Sequence, residues 1–466
     1  MVRKQVSRTA GSSGWIRIIR KFLAGGGSFG GGPVNPPPPP PPPEGISPII
    51  SEDETLLPGE LARLLSAAVQ EPDRADAGGN TVLDFHDNAR FKQMNIYALR
   101  YYAGSQSFTV RPNDVNGPDF RFVADDFLDA FPDTLHDVTF APQMNFSSIA
   151  DLYHDRVNTF VLGNEPPNNV AEFNAVGGYT VWAKAAYQAA ITAGVPAEKI
   201  FIQGGKPEFF DTTVNPLLLV YPPPPTLAVK HSTLFNEWVE AVSLGELPPR
   251  IVTTHKRADE ETDLDLYPYY QRLIQYYIDA VDNPNLRVNF QEFKWKNFYG
   301  DNIHLLLYYV EMILLMSRLR YEFGDVIHGL TFQQSYTQPK GNLVDLFNPA
   351  NPTDTLITHR YYNIGFIGEF FLLVDDVISN GVYVFSSRTP NPVGIEVEFY
   401  DYAGDRYAIY VNKGNSDVKY ALDVESMISV SSDKLDKTSF DHVFTFSDTN
   451  TNGQMKAKTC GIIKLN

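Results

Sequence analysis

Phe160-Val161-Leu162-Gly163-Asn164-Glu165-Pro166 runs three apolar residues into a glycine, then into an adjacent amide and carboxylate. An apolar run stopped by Gly and Pro reads as a buried strand ending at a loop. In a barrel of parallel strands, the C-terminal strand ends are where chemistry is placed. A carboxylate there is costly to bury unless it is paired, hydrogen-bonded or protonated. Glu165 is therefore the first candidate functional residue. The plainer alternative is a surface acid that follows a core strand.

Outward from this stretch, strand-like and helix-like segments alternate from about residue 80. Strands are expected at 81–85, 95–101, 137–141, 157–163, 199–203, 250–255, 286–292 and 327–332. Helices are expected to open at Ser147-Ser148 and to cover 178–193, 231–244, 266–280, 303–321 and about 365–377. The fold class this predicts is α/β, a (β/α)8 TIM barrel, because strand–helix alternation repeated about eight times has that signature. The segment 303–321 is long and apolar, but it is short for a membrane span and carries Glu311, Arg318 and Arg320, so a buried helix is expected. After about residue 380 the period changes to two. The runs 382–385, 394–399 and 406–411, separated by turn clusters at Tyr402-Ala403-Gly404-Asp405 and Asn412-Lys413-Gly414-Asn415, predict a C-terminal antiparallel β-sandwich.

The expected organisation is three-part. Residues 1–45 form an extended Gly/Pro-rich N-terminal tail, 46–380 the barrel, and 381–466 the β-sandwich. The first 23 residues carry six basic side chains and no acid, with Trp15-Ile16-Arg17-Ile18-Ile19-Arg20 interleaving apolar and basic residues. They lack the uninterrupted apolar core and the cleavage pattern of a secretory signal. A Gly-rich joint follows, then the run Pro36 to Pro43, a polyproline II rod of roughly 25 Å at about 3.1 Å per residue. Anchor, joint and spacer suit a domain held to a larger protein assembly through residues 1–43. A disordered tail with no partner is the alternative.

With 38 basic against 55 acidic residues the formal charge is −17, which argues against nucleic acid or an anionic membrane surface as partner. A single cysteine, Cys460, rules out an intrachain disulfide and any Cys-based metal site; it is expected in the core. His86 and Asp87 are adjacent but fit no metal-ligand spacing, and neither a metal nor any other cofactor is expected.

A second glutamate, Glu292, ends the seventh expected strand as Glu165 follows the fourth. Two carboxylates across a barrel mouth suit glycosidic bond cleavage. One donates a proton to the leaving oxygen, and the other attacks the anomeric carbon when they stand about 5–5.5 Å apart. Unequal burial would split their pKa values accordingly. Asn164 is placed to hydrogen-bond a sugar hydroxyl. Here Leu162-Gly163-Asn164-Glu165-Pro166 resembles the acid/base motif of clan A glycoside hydrolases, in particular the heparanase and α-L-arabinofuranosidase branches with their barrel plus β-sandwich. The resemblance covers roughly residues 80–466. It implies a retaining glycosidase with Glu165 as acid/base, Asn164 as the 2-hydroxyl contact and Glu292 as nucleophile.

The chain departs from that pattern at the end of strand eight, where relatives often have Trp and Phe332-Gln333-Gln334-Ser335-Tyr336 stands instead. Further substrate-binding candidates each carry two readings. His255 orients Glu292 or packs under a loop. Arg100 steadies the nucleophile as a charge-assisted donor or pairs with an acid at the core edge. Trp295 and Tyr299 form a sugar-stacking wall or are ordinary packing, and Tyr336 is the residue the end of strand eight offers to the substrate. Lys206, with Lys256, Arg257, Lys294 and Lys296, suits an acidic sugar or is a scatter of solvated cations. The leading expectation is a glycosidase acting on a polysaccharide or surface glycan, extracellular or surface-associated, with a virion component among the settings. A non-catalytic carbohydrate-binding or structural protein on the same fold is the alternative.

Overall fold

The computed structural model describes residues 48, 50–69, 77–79, 94–102, 134–140, 157–163, 166–167, 173–174, 176–254, 266–293, 302–332, 344–347, 361–364, 366–386, 394–431 and 453–466. After β1 (Ile50–Leu56) come eight parallel strands: β2 (Ser66–Val69), β3 (Ala98–Tyr102), β4 (Leu135–Phe140), β5 (Val157–Leu162), β6 (Ile200–Ile202), β7 (Arg250–Thr254), β8 (Arg287–Phe293) and β9 (Ile327–Phe332). They form a closed barrel, because β2 bonds to β3 on one side and to β9 on the other. Helices α1 (Tyr179–Thr192), α2 (Pro225–Ser243), α3 (Leu266–Val281), α4 (Asn302–Phe323) and α5 (Phe366–Asn380) alternate with the later strands. Helix α2 starts at Pro225, earlier than expected. The last proline of the tetraproline loop falls in the first helical turn, where its missing N–H costs nothing.

Two expectations need correcting. Residues 81–85, expected as the first strand, lie outside the described residues, as does the helix expected at 147–148. The barrel's first strand is β2 instead. Its text, Ser66-Ala67-Ala68-Val69, is too short and too weak in β-branched residues to announce itself, and pairing with both neighbours decides its conformation. The expected barrel segment also begins too early, since β1 pairs antiparallel with a strand of the second sheet.

That sheet is antiparallel and six-stranded. It contains β1 and, after a two-stranded pair of β10 (Val344–Phe347) and β11 (Tyr361–Ile364), the strands β12 (Val382–Ser386), β13 (Ile395–Tyr402), β14 (Asp405–Asn412), β16 (Val424–Ser431) and β18 (Thr459–Leu465), in the order β1-β12-β13-β14-β18-β16. A short pair, β15 (Val418–Lys419) with β17 (Gln454–Met455), lies beside it. The hairpin from β13 to β14 turns through Ala403 and Gly404, both at positive φ (54° and 88°), as a two-residue type I′ turn requires. Alternation gives the sheet two apolar faces. Val397, Phe399, Ala408 and Tyr410 join Tyr420, Leu422 and Met455 in one core. Tyr400, Ile409, Val411, Cys460 and Ile462 join the large core that surrounds the barrel.

The barrel interior is a separate layer of Val161, Phe201 and Val252, as expected where inward side chains from several strands meet. Phe160 and Leu162 face outward; the Phe140 and Phe160 rings lie 5.7 Å apart. The abundant tyrosines are largely core: Tyr269, Tyr270, Tyr277, Tyr308, Tyr383, Tyr400 and Tyr410 are fully buried.

Helix α4 lies between barrel and sheet and is apolar around most of its circumference, as a helix buried on all sides must be. Its charged residues are paired. Glu311 and Arg318, two turns apart on one face, meet the sheet, where Lys413 pairs with Glu311 and Glu398 with Arg318. Arg318 Nε lies 2.7 Å from Glu398 Oε1 and Nη2 lies 3.2 Å from Oε2, with the side chains 2% and 0% exposed. Tyr383 donates to Glu398 Oε2 at 2.7 Å, and Arg318 also donates to the Ser386 carbonyl at 3.0 Å. Burial alone would lower the Arg318 pKa; Glu398 overrides it and holds the pKa above its ordinary value. No helix among the described residues is long and apolar enough to cross a membrane.

Removing one partner of a buried ion pair strands the other charge, at a cost of about 3–5 kcal/mol. Glu398→Gln is expected to lower unfolding stability by that amount in urea titrations, whereas Arg318→Met combined with Glu398→Leu lowers it much less. A second prediction concerns Asp375 on α5, which is 3% exposed and accepts from the Asn95 backbone N–H at 2.7 Å. Burial first, then the Asp376 charge, push its pKa up to about 7 from 3.8, against the pull of the Asn95 bond. The folded state therefore holds this proton longer than the unfolded chain does. Stability falls as pH rises from about 4 through about 7, by up to about 4 kcal/mol at 1.36 kcal/mol per unit. Asp375→Asn is expected to flatten that slope, gaining stability relative to wild type at pH 8 compared with pH 5 in thermal melts.

Candidate active site

The C-terminal strand ends converge on one barrel mouth, so chain-distant residues become neighbours. In barrel order β5 is the fourth strand and β8 the seventh. Glu165 follows the fourth by three residues, and Glu292 is the penultimate residue of the seventh.

The exit of β5 is built tightly. Gly163 takes φ of 93°, and its N–H donates to the Phe140 carbonyl at 2.8 Å. A side chain there would strike Tyr179, with Cβ only 2.5 Å from its Cε2. Tyr179 in turn donates to the Leu162 carbonyl at 2.6 Å and accepts from the Gln203 N–H at 3.0 Å, tying β5 to the exit of β6. Burial drives its phenol pKa upward, so it stays a donor. Asn164 and Glu165 lie outside the described residues; Pro166 and Pro167, beyond them, are buried.

The seventh strand carries a register shift at its C-terminal end. Phe290 pairs with Leu330, but the next pair is Phe293 with Phe332. Gln291 and Glu292 together therefore oppose the single residue Thr331, which is a β-bulge. Leu330 and Phe332 face the outer core, Phe332 packing on Tyr309 and Phe371 at 4.6 and 5.6 Å. Thr331, between them, is on the inner register. The Glu292 side chain lies outside what is described, while Gln291 is fully buried.

Arg100, on β3, is fully buried and donates to Thr139 Oγ1 from Nε and Nη2, both at 3.3 Å. Asp137 accepts from Thr159 at 2.6 Å and from Asn158 at 2.9 Å. Burial raises the Asp137 pKa, and those two bonds and the Arg100 charge oppose the rise. The Asp137 carboxyl thus feels the Arg100 charge. Lys206, in the loop after β6, is 6% exposed; its backbone N–H donates to His231 Nδ1 at 3.2 Å and its ammonium lies 5.8 Å from the Phe209 ring centre. The loop can pack this closely because Gly205 brings backbone against backbone: a Cβ there would sit 1.8 Å from the His231 carbonyl. His255, Trp295, Tyr299 and Tyr336 lie outside the described residues. Gln291 and Asp137 were missed by sequence reasoning; a polar residue inside an apolar strand was the available signal for both.

No family model matches the chain, and none of the curated proteins does. Solved structures do. A family 86 glycoside hydrolase variant in complex with neoagarooctaose aligns with TM-score 0.55 at 10% identity, over 90% of this chain and 78% of its own. An arabinofuranosidase aligns with TM-score 0.54 at 11% identity, over 90% and 100%. The fold is that of clan A glycoside hydrolases. The α-L-arabinofuranosidase of Thermotoga maritima in its arabinose complex agrees, at 0.53 and 12% over 90% and 99%. The barrel with its antiparallel sheet, expected from the strand pattern and the motif, is thus the architecture shared with these enzymes.

Gly163→Ala should be costly, because it combines positive φ with a clash. A loss of about 1–3 kcal/mol in chemical denaturation is expected.

Proposed function

We propose that the chain is a retaining glycoside hydrolase that cleaves O-glycosidic bonds of a polysaccharide or surface glycan. The observation that carries this reading is the backbone bulge at the C-terminal end of the seventh strand, where Gln291 and Glu292 together oppose the single residue Thr331 of the eighth. Bulges at barrel rims re-aim side chains. Gln291, which shares that ladder position with Glu292, is fully buried. The fourth strand supplies its counterpart through the stapled Gly163 turn. Likeness of fold to the family 86 glycoside hydrolase and the arabinofuranosidases is supporting context, since folds host many functions and sites decide among them.

In this reading Glu165 protonates the leaving oxygen while Glu292 attacks the anomeric carbon and forms a glycosyl-enzyme. Glu165 then removes a proton from the water that releases the sugar. Asn164 holds a hydroxyl beside the reacting carbon. Arg100 steadies the ionised nucleophile as a charge-assisted donor. His255, Trp295, Tyr299 and Tyr336 supply orientation and stacking, and Lys206 a cation toward an acidic sugar. Residues 1–43 tether the enzyme to a larger particle or surface, and the protein acts outside the cell.

The test is turnover of a panel of nitrophenyl glycosides and polysaccharides by wild type, Glu165→Gln and Glu292→Gln. Each variant is expected to lose about 10²–10⁴-fold in kcat, the range for a lost general acid or base, with Glu292→Gln at the severe end. NMR of the first product formed should show the substrate's own anomeric configuration. Equal residual turnover in all three proteins, with unchanged glycan binding, would instead establish the carbohydrate-binding alternative.

A further inference from the structure

The face opposite the mouth, at the N-terminal strand ends, gathers four arginines and a histidine from five separate places in the chain. Arg250 and Arg287 are the first residues of β7 and β8 and face each other as ladder partners. His328 is the second residue of β9, at another irregularity of register, where β9 carries the extra residue. Arg63 lies just before β2, with Nη1 3.5 Å from His328 Nδ1. Arg320, in the last turn of α4, donates to the Ile327 carbonyl at 3.1 Å and to Asp325.

Among the described residues the acids do not balance these cations. Asp325 serves both Arg320 and, at 3.6 Å, Arg287. Arg250 has no hydrogen-bond acceptor among the described residues and feels Glu198 only through space. His328 Nε2 and Arg320 Nε are buried with no hydrogen-bond partner among the described residues. This happens in a chain of formal charge −17, where four guanidiniums on one face are not a matter of composition. The side chains remain reachable from solvent, that of Arg287 being 20% exposed.

We propose that this cluster is a binding site for a tetrahedral oxyanion, phosphate or sulfate, held by Arg63, Arg250 and Arg287 at the closed end of the barrel. Guanidinium forks match such anions in geometry as well as charge, and a divalent anion offsets mutual repulsion that one aspartate leaves uncompensated. That repulsion is expressed in the site itself. Burial first and then the neighbouring Arg287 hold Arg250 below its ordinary pKa. Burial and then all four arginines hold the His328 imidazole neutral, down to about 3. The site is remote from the mouth and independent of the proposed hydrolysis.

The experiment is thermal unfolding of the full chain in phosphate, sulfate and chloride at matched ionic strength and pH, with titration calorimetry of inorganic phosphate and of methyl phosphate. Wild type is expected to show a saturable rise in Tm with phosphate and sulfate over chloride, and one phosphate bound per chain. Arg250→Gln should fold with an unchanged or higher Tm in chloride, because it removes repulsion and no hydrogen bond, and should bind phosphate at least about tenfold more weakly. Arg287→Gln, tested in parallel, should weaken phosphate equally. Binding of methyl phosphate as well assigns the site to the ester group of a larger molecule; binding of inorganic phosphate alone assigns it to the free ion. A Tm response that does not saturate, or one that is the same in wild type and both variants, overturns the proposal.

Discussion

Four residues close the barrel. Ser66–Val69 hydrogen-bonds to β3 on one side and β9 on the other, and without it seven parallel strands would form an open sheet with two unpaired edges. Closure brings the ends of the fourth and seventh strands, more than a hundred residues apart in sequence, over one hollow. It equally brings the starts of β7, β8 and β9 to one patch beside Arg63. Both candidate sites are products of the same ring of backbone hydrogen bonds, one at each end of it.

The second determinant is how charge is treated beneath the surface. Glu398, Arg318, Glu311 and Asp137 are all at most 2% exposed, and each is met by a partner suited to its state: a bidentate guanidinium, a carboxylate, an ammonium, or two short donors and a nearby arginine. Such pairs add little net stability over an apolar isostere but penalise any other alignment of the elements that carry them. In this protein they specify how α4 meets the sheet. The arginine patch breaks the pattern, because there the cations exceed their partners.

Much of this architecture was legible in the chain. Buried parallel strands read as apolar runs, and so β5, β6 and β9 were found within a residue or two at either end. The period-two text of β13 and β14 announced the second sheet, and Glu311, Arg318 and Arg320 identified α4 as a helix buried in protein. The rest was hidden for physical reasons. Ser66-Ala67-Ala68-Val69 has no strand pattern of its own and is a strand only because two neighbours need one. A bulge is one surplus residue in a ladder, so Gln291-Glu292 looks ordinary until β8 and β9 are aligned. Arg63, Arg250, Arg287, Arg320 and His328 share no spacing, and only the closed barrel makes them a group.

The first strand of the described chain belongs to the sheet that the last strands complete. From β1 in that sheet the described chain runs once around the barrel and comes back to it, β1 lying against β12. The sheet is thus a clasp across the entry and exit of the barrel rather than an appendage behind it. Cutting at residue 381 would leave β1 and the sheet-facing side of α4 bare, including Glu311 and Arg318. Barrel and sheet are for that reason one inheritable unit, to be exchanged, permuted or grafted together.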